Sequence, residues 1–429
     1  MGGEWSRRRF AGSMGAVVGA GVVGCSGGEG NGAGASGGVS SGVTGSVGGS
    51  SPGGSPAGQG SASRGPGAPD TTTPDTAVPD SSAPDSTTPR PLYIGTYTSP
   101  DGGGAGIRLA AYHPVTGRIR STGMVTGVQD PSFLATHPDG RTLYAVNERE
   151  RGAVTAVRIR DGRVLGSRRT GGRHPCHLSV HPGGRWLLSA EYGSGSVTVH
   201  PIGSDGALGG RTESVTHASP APGPGQEGPH AHQIVTAPDG RHVLAVDLGT
   251  DTVYSYRLDD NAGTLTEVAR ARSRAGAGPR HLVFHPGGRY AYLANELDDT
   301  VTVCAYDAAS GRLTIGEPLP TGSKRRPTYP SQLAVTPDGA YAYLANRGDN
   351  TLARYGVEAD GARLRLLGTV PVGGDFPRHV AIAPDGRLLF ASNQRSGTVT
   401  VFRIDEASGT LTRTGEPFTS PMAVCALPL

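Results

Sequence analysis

From residue 91 onward the apolar residues fall in short runs rich in Val, Leu and Tyr, broken by Gly, Pro and Asp. Such runs suit strands better than long helices. Residues 278–316 give one full cycle, GPRHLVFHPGGRYAYLANELDDTVTVCAYDAASGRLTIG. A strand (HLVF) leads into a Pro-Gly-Gly turn and a second strand (YAYLA) leaves it. A third run alternates β-branched residues (TVTVCAYD), and a short fourth (RLTIG) follows a glycine turn. The turn recurs at Pro138, Pro182, Pro238, Pro286, Pro337 and Pro384, at intervals of 44, 56, 48, 51 and 47 residues. A period of this size, with four strands in each, predicts an all-β propeller of antiparallel four-stranded blades.

Six turns account for six blades, and the chain ends supply a seventh. Near the start, PLYIGTYT has the pattern of a second strand without its turn; at the end, SPMAVCALPL has that of a first strand without its successor. Pairing the two closes the ring and removes the open edges that would otherwise invite aggregation. The expected fold is therefore a seven-bladed β-propeller over residues 91–429, at about 48 residues per blade.

Composition changes the picture only before residue 91. Much of the excess of Gly (70 in all) and Pro (34) lies there. Residues 6–10, SRRRF, precede a small-residue apolar stretch that ends in VVGC at Cys25. The order matches a twin-arginine export signal over 1–24, with lipidation expected on Cys25 after cleavage. The stretch is shorter than the roughly 20 residues a permanent spanning helix needs. Residues 25–90 then read as a disordered tether rich in Gly, Ser, Pro and Thr, with an end-to-end distance of roughly 45 Å. The expected location is the outer face of a bacterial cytoplasmic membrane, reached through the lipid on Cys25. Beyond Cys25 only Cys176, Cys304 and Cys425 remain, an odd number read as buried free thiols rather than a disulfide framework. Net charge is +3, and Lys324-Arg325-Arg326 is the one basic run after the arginines of the leader. Nucleic acid is thus not an expected partner, and a monomer is expected.

Comparing equivalent positions among blades separates scaffold from candidate site. His137, His181 and His285 repeat just before the turn, on the rim opposite the strand ends considered next, and read as turn residues. Six residues before each turn proline stand Ser132, Cys176, His232, Arg280, Ser331 and Arg378. The next column is Phe133, His177, Gln233, His281, Gln332 and His379. Nine residues after the proline stand Asn147, Glu191, Asp247, Asn295, Asn346 and Asn393, and the repeated Asn reads as a cap. The following column is Glu148, Tyr192, Leu248, Glu296, Arg347 and Gln394, with Tyr97 matching it in the composite blade. Antiparallel strands bring the start of the first strand and the end of the second to one rim. Where these columns diverge into charged groups, a site at the funnel mouth is expected: Glu148, His177, His230, His232, Asp247, Arg280, His281, Glu296, Arg347 and Arg378.

The stretches YIGTYT (93–98), PSFLATHPDGRTLYAVNE (131–148), GPHAHQIVTAPDGRHVLAVDLGTD (228–251), GPRHLVFHPGGRYAYLANEL (278–297) and PRHVAIAPDGRLLFASNQ (377–394) resemble the seven-bladed propeller lactonases. That family includes propeller-type 6-phosphogluconolactonases and carboxymuconate cyclases, and the resemblance runs over essentially all of 91–429. It implies hydrolysis of a sugar-type or acidic lactone, with His232, Arg280, Glu296 and Arg378 as the catalytic set. Gln332 stands where many relatives carry an acid. Glu148, His177, His230, Asp247, His281 and Arg347 are expected to contact substrate. Glu296 and His232 are both candidates for the general base. No nucleophile elbow or Ser-His-Asp order is seen, which favours direct water attack. No ligand spacing points to a metal, so no cofactor is expected, although the carboxylates and histidines are potential ligands of a divalent ion. The competing class is a surface-anchored propeller that binds an acidic sugar or a protein without turnover, since YLANELDDTVTV and YLANRGDNTLARY resemble the repeats of surface-layer propellers.

Overall fold

The computed structural model describes residues 87–99, 103–218, 223 and 226–429. The export signal, Cys25 and nearly all of the tether lie outside the described residues. From Arg90 on, the chain forms seven antiparallel sheets, six of four strands and one with a short fifth strand. Blade four, which carries the cycle quoted above, has strands Pro279–Phe284, Tyr290–Asn295, Thr300–Asp307 and Arg312–Pro320. The first strands of blades one, two, three, five and six are Leu134–Thr136, Pro175–Val180, Ala231–Thr236, Pro330–Val335 and Pro377–Ile382. Blade seven is composite: Ala423–Pro428 pairs antiparallel with Arg90–Thr96, from Leu92 opposite Pro428 to Thr96 opposite Ala423. The ring is thus closed by the two ends of the propeller.

Period-two alternation explains how the blades pack. In Tyr290–Asn295, Ala291 and Leu293 face blade three, whereas Tyr292 and Ala294 face blade five. Every blade does this, so the apolar residues collect into seven clusters, each shared by two neighbours. Sheets buried on both faces in this way carry near-continuous apolar runs, as YAYLA does. The tyrosines add polar anchors at their tips: the hydroxyls of Tyr144, Tyr292 and Tyr343 donate to the carbonyls of Gly206, Gly361 and Gly409 in the following blade. At the turns, Nε2 of His137 and of His181 meets the Gly184 and Gly240 carbonyls one blade on. These histidines brace the far rim, as their repetition suggested. Cys176, Cys304 and Cys425 are buried and unpaired.

Candidate functional site at the funnel mouth

The first strands are built to aim side chains at the axis. His174, Tyr329 and Phe376 take φ of 50°, 50° and 64°, and Gly278 takes 61°, each just before a proline that opens a first strand, while Asp130 takes 43° before Pro131, shortly ahead of the strand at Leu134. One residue later the pairing slips. The register shifts between Pro175 and His177, Ala231 and Gln233, Pro279 and His281, and Pro377 and His379. Cys176, His232, Arg280 and Arg378 are therefore the extra residues of β-bulges. A bulge breaks the alternation of faces and re-aims its side chain, so Arg280 and His281 both reach the axis although they are adjacent in sequence.

The outer layer of the mouth is an ion network built on Glu296. Its Oε2 accepts from Arg280 Nη1 at 2.7 Å and lies 2.6 Å from Arg347 Nη2. Arg280 Nη1 also donates to His232 Nε2, and its Nε donates to the Ser331 carbonyl at 3.1 Å. A guanidinium only donates, so His232 carries its own proton on Nδ1. Arg347 is 1% exposed; its Nε donates to the Tyr329 carbonyl, its guanidinium lies over Phe376, and Nη1 has no hydrogen-bond partner. On the other side of the mouth, Glu148 Oε2 accepts from the Tyr97 hydroxyl at 2.8 Å and lies 3.5 Å from Arg378 Nη2, whose guanidinium covers the Tyr97 ring.

Burial and charge pull against each other in this network. Burial pushes the Glu296 carboxyl up, but Arg347 and Arg280 outweigh it and hold the group below its ordinary value. His232 is driven far down by burial and then by Arg280, Arg378 and Arg347, and stays neutral at physiological pH. Burial lowers Arg347, with Glu296 opposing the fall. The Cys176 thiol is pushed above its ordinary value by burial, so it is an inert lining group and not a nucleophile.

His232, Arg280, Glu296 and Arg378, the four expected catalytic residues, are thus brought together, with Arg347 and Glu148 beside them. His230 forms the wall next to them: its ring stacks on Tyr192 with centroids 4.4 Å apart, and Tyr192 stands edge-on to His232. One expected contact, Asp247, is corrected. Asp247 is fully buried and its oxygens are occupied, Oδ1 by the backbone N–H groups of His230 and Thr250 and Oδ2 by His217 Nδ1 at 2.6 Å. It supports the wall from behind and is out of substrate's reach. His177 and His281 line one small cavity with His232, Arg280 and Arg378, and each also ties its blade to the next. The repeat comparison passed over His217, which belongs to the long blade-two-to-blade-three connection and has no counterpart in the other blades. It also left Tyr192 and Tyr97 unassigned, although both stand in the column that contains Glu296. Among the described residues no group of three or more His, Cys, Asp or Glu is placed to hold a metal ion. A cleft of about 570 Å³ between the outer strands of blades six and seven, near Gly117, Val401 and Phe418, is separate from this network.

Residues 91–428 match the family described as Lactonase, 7-bladed beta-propeller. The chain belongs to that family. It is 32% identical over 341 residues to a 6-phosphogluconolactonase of Bacillus subtilis, covering 78% of this chain and 96% of the relative. A 6-phosphogluconolactonase of Formosa agariphila is 29% identical over 334 residues, covering 75% and 94%. Among solved structures, the periplasmic gluconolactonase of Pseudomonas aeruginosa superposes with a TM-score of 0.73 at 30% identity, covering 80% of this chain and 99% of its own. By family this chain is a lactonase, and the Arg–Glu–His network is where its blades differ most in charge.

Proposed function

We propose that this lactonase is exported, held at the outer face of the membrane through Cys25, and opens a sugar-type lactone by direct attack of water with Glu296 as general base. The carrying observation is the placement of Glu296. It is a buried carboxylate kept ionised by two guanidinium groups that both engage Oε2, so that Oε1 is the oxygen available to a water. Water attacks the lactone carbonyl carbon and gives its proton to Glu296. Arg280 and the unpartnered Nη1 of Arg347 stabilise the tetrahedral oxyanion, the kind of preorganised donor that matters most in a dry site. Collapse breaks the ring C–O bond, and the leaving alkoxide takes the proton back from Glu296. The hydroxy acid product carries a carboxylate that Arg347 and Arg378 can hold. His232 serves as acceptor and brace for Arg280; with its Nε2 lone pair engaged it is the weaker candidate for the base.

The export signal argues for a lactone met outside the cytoplasm, and the periplasmic gluconolactonase among the structural neighbours supports the same reading. The test is a lactone panel on the purified full-length protein: glucono-δ-lactone, its 6-phosphate and a plain aliphatic δ-lactone. The proposal expects turnover of the two sugar lactones well above the aliphatic one. Equal rates on all three, or none above the uncatalysed rate, would overturn it.

A further inference from the structure

Beside the Glu296 network stand three histidines that the proposed lactone chemistry does not use. His177, His281 and His379 come from alternate blades and are all buried. In each, Nδ1 accepts a backbone N–H of the next blade: Ile234 at 3.4 Å, Leu333 at 3.4 Å and Ala426 at 3.5 Å. A backbone N–H can only donate, so Nδ1 is the bare nitrogen. Burial first, and then neighbouring histidines or arginines, pushes all three rings down, His177 and His379 to about 3, so they are neutral at physiological pH. A neutral ring with bare Nδ1 carries its proton on Nε2. Three N–H donors are thereby assigned to the rings that line one small axial space.

That space has a volume of about 20 Å³, and Ser132, Cys176, His232, Arg280 and Arg378 also line it. It holds one particle the size of a water molecule. No carboxylate lines it, and a protonated Nε2 cannot ligate a cation. Ser132 Oγ is buried there without a hydrogen-bond partner. Two guanidinium groups, Arg280 and Arg378, are among the lining side chains. We propose that the axial cavity ringed by His177, His281 and His379 is a binding site for one small anion of the halide class, chloride under ordinary conditions. The anion accepts from the three Nε2–H groups and lies beside the guanidinium groups of Arg280 and Arg378. No step of the lactone reaction employs the three histidines, so a failure of this site leaves that reading standing, although Arg280 and Arg378 serve both.

The test compares the thermal midpoint of the full-length protein in sodium chloride and in sodium methanesulfonate at equal ionic strength, the second anion being too large for the cavity. Selective binding raises the midpoint in chloride by about 2 °C, since a ligand that binds only the folded state stabilises it by mass action. His281→Phe keeps a planar ring but removes both nitrogens, and should abolish the difference. Crystals of the wild type grown in bromide should show an anomalous peak on the axis among the three rings. An equal midpoint in the two salts, a folded His281→Phe variant that keeps the wild-type difference, or bromide crystals without that peak would overturn the proposal in favour of a water-filled cavity. If His281→Phe does not fold, the wild-type bromide peak decides by its presence or absence.

Discussion

Glu191 allows the electrostatics of this fold to be tested away from the chemistry. It is fully buried in blade two, at the position where blades one, four, five and six carry Asn147, Asn295, Asn346 and Asn393. Its Oε1 accepts from the hydroxyls of Ser189 at 2.6 Å and Thr198 at 3.1 Å, and Oε2 from Ser196 at 3.3 Å. Burial raises its carboxyl from the ordinary 4.5 to about 8, with those hydroxyls opposing the rise. A carboxyl raised on folding is protonated in the native state while the unfolded chain ionises, so stability falls as pH climbs between those two values. The slope is about 1.4 kcal/mol per pH unit. The loss is thus absent below pH 4.5, on the order of 3 kcal/mol at pH 7 and on the order of 5 kcal/mol above pH 8, as upper estimates. Glu191→Gln keeps the shape and cannot ionise, and the Ser189 and Thr198 hydroxyls can rotate to suit its amide. Denaturant unfolding of wild type and variant at pH 5, 7 and 9 reads the difference directly. The variant should gain on the wild type as pH rises, from near parity at pH 5 to several kcal/mol at pH 9. A difference that does not change with pH, or a variant less stable at pH 9, would show that Glu191 ionises normally in the folded protein.

Two further outcomes are expected. In Arg347→Met, Glu296 loses one of the two cations that hold it down, so the acid limb of the kcat/KM profile moves to higher pH; wild type stays active below pH 4.5, and an unmoved limb in the variant would separate Glu296 from the titration. Ile94 lies fully buried in the strand that closes the ring, so Ile94→Ala should cost about 2–5 kcal/mol in thermal or denaturant unfolding, whereas a cost under about 1 kcal/mol would mean the closing strand contributes little.

The blade architecture was legible because one unit is printed repeatedly, with the turn proline as a fixed marker and YAYLA-type runs between turns. The Arg280–Glu296 pair was legible for the same reason, as a departure from its sister blades. The bulges were not. Ala231-His232-Gln233 reads as ordinary strand, and strict alternation would send Arg280 and His281 to opposite faces. At His174, Tyr329 and Phe376 a left-handed residue precedes the first strand and no glycine announces it, and blade three bulges at His232 without such a residue. Depth was hidden as well. Asp247 looked like a substrate contact because an acid replaces the repeated Asn, yet its partner His217 sits outside the repeat and no column comparison reaches it. His177 and His281 were expected beside His232 and Arg280 and line one cavity with them, but their bonds to the next blade are not written in any single column.

The central claim is that Glu296 is the base. Steady-state hydrolysis of glucono-δ-lactone by the wild type and by Glu296→Gln tests it most directly, with circular dichroism confirming that both are folded. The amide is isosteric, still accepts from Arg280 and Arg347, and cannot take a proton. The account predicts a kcat lower by roughly 10²–10⁴-fold, the usual worth of a general base, with KM changed far less. A folded Glu296→Gln enzyme that keeps the wild-type kcat would contradict it.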